Sequence, residues 1–150
     1  MYPALKIANY FLRKEPISAM KLQKLLFFAH GWSLGLSGKP LIREEIQAWN
    51  YGPVVPEVYH QFKYFGSDPI TEEAESEWRG ISFVPNFDRG TCSFLNKVWE
   101  EYGGIDAMTL SKMTHERGSP WDTTPKFHNS VIPNEEIRRY FQRLAEGADY

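Results

Sequence analysis

The stretch from Ser18 to Pro40 constrains the fold more than any other part of the chain. Leu22, Leu25, Leu26, Ala29, Trp32, Ser33 and Leu36 recur at helical spacing, and Phe27 and Phe28 add apolar surface beside that stripe. A helix apolar over so much of its circumference cannot rest on a surface; other elements must surround it. Ser18 reads as its N-cap, with Ile17 and Leu22 spaced for a hydrophobic staple, and Gly38 before Lys39-Pro40 reads as its stop. Gly31 and Gly35, one turn apart, mark a place where another backbone comes close.

The remaining segments supply the shell. Pro3 opens a first helix through Leu5, Ala8, Phe11 and Leu12 that ends near Glu15-Pro16. Residues 41–50 alternate weakly and read as a short β-hairpin turning near Arg43 to Glu45, after which Gly52-Pro53 breaks the chain. Val55, Val58, Tyr59, Phe62 and Phe65 give a third helix closed by Gly66, and ISFVP at 81–85 offers one more strand to the hairpin. Asp88 and Asp106 are spaced to cap two further helices, THERGSPWDTTPKFHNS at 114–130 reads as a loop, and Pro133 opens a last helix with Ile137, Tyr140, Phe141 and Leu144 on one side. The expected class is mainly α (α+β): a compact helical domain of about six helices with a small antiparallel β-hairpin or sheet, residues 1–150 forming a single domain.

Charge and motif content narrow the chemistry. The formal charge of -2, from 17 Lys and Arg against 19 Asp and Glu, provides no global field for a polyanion. Cys92 is the single cysteine and cannot form an internal disulfide, which suits a reducing cytoplasm. The N-terminus carries charges at Lys6, Arg13, Lys14 and Glu15 and no long apolar run, so neither a signal peptide nor a membrane span is expected. His30, His60, His115 and His128 show no i, i+4 pair, and His115-Glu116 lacks the second histidine of a zincin motif, so no metal site is expected and each reads as structural. Cys92 reads as a half-buried packing residue, and no phosphate loop, nucleophile elbow or dinucleotide fingerprint occurs. No catalytic residue, cofactor or enzyme activity is expected. Lys21 and Lys24, with Lys39 and Arg43, read either as a basic edge for phosphates or, preferably, as a solvated rim on a buried helix.

The stretch AWNYGPVVPEVYHQF, residues 48–62, sets Trp49 and Tyr51 beside a forced turn. Gly52 permits a backbone conformation closed to other residues and Pro53 fixes the next φ, so both rings can fold from the hairpin onto the helices. Two readings stay open: a wedge between core layers, with Trp49 substantially buried, or an anchor for a partner protein.

These residues assemble into a recognisable pattern. Lys21-Leu22-Gln23-Lys24-Leu25-Leu26, Gly38-Lys39-Pro40-Leu41, Ala48-Trp49 and Tyr51-Gly52-Pro53-Val54 closely resemble the Panacea domain of the phage-associated GepA-like and SocA-like antitoxin family. THERGSPW, with His115, Pro120 and Trp121, resembles the family's second motif, and IPNEEIRRYF its last helix; the resemblance spans nearly the whole chain apart from the acidic insert at 67–87. It implies a cytoplasmic antitoxin that works by binding a cognate protein toxin encoded nearby, and, for the SocA type, by handing that toxin to a protease. Members with an extra N-terminal DNA-binding domain exist; here the first helix begins at Pro3, so operator binding is not expected. The motif residues are expected to be structural. The surface expected to bind the partner is the corner formed by Tyr51, Glu57, His60, Gln61 and Tyr64. A nucleic-acid-binding phage-associated regulator is the alternative, separable by its steep salt dependence.

Overall fold

A computed structural model describes residues 1–128 and 130–147. Among them are seven α-helices: α1 (Ala4–Lys14), α2 (Ala19–Ser37), α3 (Pro56–Phe62, continued by a 3-10 turn over Lys63–Phe65), α4 (Arg89–Tyr102), α5 (Ala107–Thr114), the single turn α6 (Pro120–Thr123) and α7 (Asn134–Ala145). Two antiparallel hairpins complete the described fold, β1 (Gln47–Trp49) with β2 (Gly52–Val54), and β3 (Glu77–Trp78) with β4 (Ile81–Ser82). The mainly α class with a small antiparallel component is what the sequence implies.

Helix α2 is the axis of the structure, touching α1, α3, α4, α5, α7 and β2. Leu22, Leu25, Leu26 and Ala29 have no exposed surface. Its ends are those read from the sequence: Ser18 accepts from the Lys21 backbone N–H at 3.2 Å, and Gly38 adopts φ 73° while its N–H donates to Leu34. Asp88 and Asp106 likewise accept from the Thr91 and Thr109 backbone N–H groups. Helix α7 lies across Gly31 and Gly35. A Cβ on Gly31 would sit 2.1 Å from the Phe141 ring, and one on Gly35 would sit 3.0 Å from the Phe141 carbonyl carbon. The close backbone approach expected there is α7. Around it Phe28 stacks on Tyr102 at 4.2 Å, Trp32 meets Phe141 edge-on, and the Trp32 indole donates to the Tyr102 hydroxyl at 2.7 Å.

Three local expectations are corrected. The hairpin does not turn at Arg43 to Glu45: Leu41 and Ile42 lie beside Tyr2, whose N–H donates to the Leu41 carbonyl, and the turn falls at Asn50-Tyr51. Gly52 and Pro53 therefore belong to the second strand. Proline is tolerated because β2 is an edge, while β1 uses its other side to pair with the 130–132 segment, Ala48 N–H donating to Ser130 and Ile132 N–H to Ile46. The ISFVP strand makes its own hairpin with Glu77–Trp78 through a turn at Arg79-Gly80, both with positive φ, and does not join the first sheet. Finally, Ser119 caps a helical turn, α6, inside the segment read as loop.

Buried polar side chains tie the loops to this frame. Asn9 Oδ1 accepts from the Ala74 N–H while its Nδ2 donates to Ala74 and Phe83 carbonyls, fixing the acidic insert. His30 Nδ1 accepts from the N–H groups of Leu41 and Ile42, so the ring's proton lies on Nε2 and is donated to Asn134. Burial pushes the His30 pKa below its ordinary value. Four histidines read as structural thus include one that joins α2, the 41–42 segment and α7.

Candidate partner-binding site

The hairpin turn is held through the Trp49 and Tyr51 carbonyls. Trp121 Nε1 donates to the Trp49 carbonyl at 2.6 Å, His115 Nε2 lies 3.4 Å from the Asn50 carbonyl, and Ser111 Oγ donates to the Tyr51 carbonyl at 3.0 Å. The His115 ring is itself oriented, its Nδ1 donating to the Ser111 carbonyl at 2.6 Å and its face against Trp121 at 3.9 Å. Helix α5 and the single turn α6 supply these groups, and Pro120 starts α6 at the position where a missing N–H is harmless. The second sequence motif is therefore a clamp on the first.

Helix α2 holds the same hairpin from beneath. Gln23 Oε1 accepts from the Val55 N–H at 2.8 Å and its Nε2 donates to the Val55 carbonyl, so one side-chain amide substitutes for a strand partner where β2 gives way to α3. Gly52 has φ 120°, and a Cβ there would lie 3.0 Å from both Lys24 Nζ and Thr114 Oγ1. Glycine is favoured by the conformation, and the space beside it is tight. Lys21 turns away and donates to the Gly103 carbonyl beyond the end of α4. Leu22, Leu25, Pro53 and Val54 are buried.

Lys24 is the exception among the charged motif residues. It is 1% exposed, among the largest buried side chains in the protein, and not part of a solvated rim or a basic edge. No salt bridge or hydrogen bond engages its Nζ among the described residues. Burial alone lowers its pKa to about 8. The side chain lines a cleft of about 620 Å³ between α2 and the hairpin, walled by Met20, Trp49, Tyr51 and Tyr59 and bounded opposite by Lys126, Phe127 and His128. Trp49 is half-buried in that wall, packs edge-on to Tyr59 at 5.0 Å and donates to Gln47. Trp49 is thus packed against the fold and also lines the cleft, which leaves the wedge and the anchor readings both open.

The five residues expected to bind a partner do not line one cleft. Tyr51 lines this cleft and is 73% exposed. Glu57 and Gln61 line a second cleft of about 540 Å³ with Arg43, Glu44 and Glu75, where Glu44 also accepts from the Ala4 N–H and so caps α1. His60 and Tyr64 are exposed and line neither. Sequence reading missed Met20, Tyr59, Lys126 and Phe127, of which an exposed phenylalanine inside a Pro- and Thr-rich segment carried the clearest signal.

The span of this clamp matches a known sequence profile. The family described as Antitoxin SocA-like, Panacea domain, aligns with residues 22–122, from the start of α2 to α6. The chain belongs to this antitoxin family. Antitoxin SocA of Caulobacter vibrioides (strain NA1000 / CB15N) is 35% identical over 125 residues, which cover 77% of this chain and 66% of that protein, so the chain spans just under two thirds of that relative's length. No solved structure matches. The family match includes Gln23, Lys24, Gly52, His115 and Trp121, and it stops before the Lys126–His128 rim of the cleft. Among the described residues no helix is long and apolar enough to cross a membrane, and no group of three His, Cys, Asp or Glu side chains is placed to hold a metal.

Proposed function

We propose that this protein is an antitoxin that neutralises a cognate toxin by direct protein-protein binding, with the Lys24 cleft and its aromatic rim as the capture surface. The observation that carries the reading is the cluster of exposed rings at that rim, Tyr51, Tyr59 and Phe127, standing on a backbone held rigid from two sides. Large aromatic side chains on a fixed support are typical interface anchors, since they bring apolar area at low entropy cost. An antitoxin of this kind acts by binding, in the cytoplasm with its toxin, and needs no catalytic set or cofactor. Delivery of the captured toxin to a protease is the further step that the SocA relationship suggests. The nucleic-acid reading loses support, because Lys21 is committed to a carbonyl and Lys24 sits at the base of a cleft and not on an exposed basic edge.

Co-expression with the protein encoded beside it tests the proposal. Wild type should restore growth and co-purify with that protein. Tyr51→Asp with Phe127→Asp, both far out in solvent, should lose rescue while melting as wild type does. Rescue that survives the double variant places capture elsewhere; failure of wild type to bind or neutralise its neighbour overturns the antitoxin reading.

A further inference from the structure

The cleft has a chemical bias that the exposed rings alone do not explain. Its basic lining consists of Lys24 at the base and Lys126 and His128 at the rim, with no carboxylate, in a protein whose net charge is negative. Lys126 is already engaged, donating to the Asp122 and Thr124 carbonyls and lying 4.2 Å from the Trp121 ring, so Lys24 is the cation left to a ligand. A buried ammonium without an anion is costly, and a ligand that supplies one recovers that cost on binding.

We infer that the cleft takes a carboxylate side chain from the captured protein, flanked by aromatic or apolar residues, with Lys24 Nζ as the charge partner and Trp49, Tyr51 and Phe127 covering the flanks. This rests on the proposed toxin capture for the source of the segment. A protein segment suits the site better than a free small anion, because a molecule confined to the cleft leaves Phe127, 76% exposed, uncovered at the rim. One ammonium and no arginine fork suits a carboxylate rather than a phosphoryl group. The turn that presents Phe127 is itself braced, with Phe127 N–H donating to Ser130 Oγ and Ser130 N–H donating back to the Phe127 carbonyl. The rim is therefore a built surface.

Two capped peptides, acetyl-Phe-Glu-Phe-amide and acetyl-Phe-Gln-Phe-amide, probe the site through the indole NMR resonance of Trp49. The Glu peptide should bind wild type at least about tenfold more tightly than the Gln peptide, and the preference should vanish in Lys24→Met, which keeps the stem and removes the charge. Equal binding of the two peptides by wild type, or an unchanged preference in Lys24→Met, overturns the inference. Benzoate binding as tightly as the Glu peptide also overturns it, reassigning the cleft to free aromatic acids. In the cell, Lys24→Met should lose rescue at least tenfold in plating efficiency. Wild-type rescue with full rescue by Lys24→Met refutes the carboxylate anchor and leaves the antitoxin reading standing. Absence of rescue by wild type refutes the antitoxin reading and with it the protein source of the segment.

Discussion

The indole N–H of Trp121 donates to the carbonyl of Trp49 at 2.6 Å, joining two residues 72 positions apart in the sequence. The bond fixes the turn that carries the cleft wall. Trp121→Phe keeps a ring against His115 and removes the indole donor from the Trp49 carbonyl. It should destabilise by about 1 to 2 kcal/mol, measured by urea unfolding. Affinity for the toxin partner proposed above should fall by more than that stability loss explains, because the turn is released into the proposed capture surface. Unchanged stability and affinity would show that the clamp holds without it.

Lys24→Met should make the protein more stable at pH 7, by roughly 3 kcal/mol from the depression of the Lys24 pKa to about 8. The sign follows from proton counting. Between about pH 8 and the ordinary lysine range the unfolded chain holds a proton that the folded one has lost, so wild-type stability rises with pH through that window. The gap between wild type and Lys24→Met should then narrow from pH 8 to 10. Chemical unfolding of both at several pH values decides it, and a gap that is constant with pH refutes the assignment to Lys24.

His30 gives the opposite end of the pH profile. Its Nδ1 accepts two backbone N–H groups, so a proton there has no place, and burial holds the folded pKa below the ordinary value near 6.5. As pH falls below about 6.5 the unfolded chain takes up a proton that the folded one refuses, and stability drops. NMR should show the His30 ring still neutral at a pH somewhat below about 6.5. A His30 titration at the ordinary value would refute the neutral buried ring.

Gly31→Ala should destabilise by about 1 to 3 kcal/mol or more, since its methyl would occupy the space of the Phe141 ring. Phe141→Leu alone should also cost stability through lost packing. The double variant should lose less than the two singly combined, because the smaller side chain makes room for the methyl. Simple additivity in thermal unfolding would place α7 elsewhere than across α2.

Gly52→Ala combines a backbone conformation at φ 120° that side chains resist with contact at 3.0 Å from Lys24 Nζ and Thr114 Oγ1. It should destabilise by about 1 to 3 kcal/mol. In a Lys24→Met background, measured against Lys24→Met alone, the same substitution should cost less but not nothing, because the conformational part remains. No cost in that background would mean that φ at this position carries no strain.

The long helix, its caps and the two-glycine seat were legible in the sequence because each rests on local spacing: Ser18 three residues before Lys21, Gly38 after Ser37, Gly31 four before Gly35. The hairpin register was not legible. The 41–46 segment alternates like a strand but pairs with Tyr2 and with the 132 region, choices made by chain ends far away in sequence. Gly52-Pro53 resembles a break because nothing local reveals that Pro53 faces a free edge. The site suffered similarly. Tyr51 reaches the cleft while Glu57 and Gln61 reach another, since strand and helix face different ways after Val55. A lysine in an apolar helix gives no local sign of whether it snorkels out or stays in; the clamp over Gly52 determines that Lys24 stays.

The seat of Phe141 against Gly31 and Gly35 also orders events in time. Helix α2 leaves the ribosome roughly a hundred residues ahead of the ring that covers it, a delay of about 5 to 20 seconds at common synthesis rates. Throughout that interval the nascent chain carries its most apolar helix without its cover. The yield of folded chain therefore depends in part on how that helix is kept from other apolar surfaces during translation.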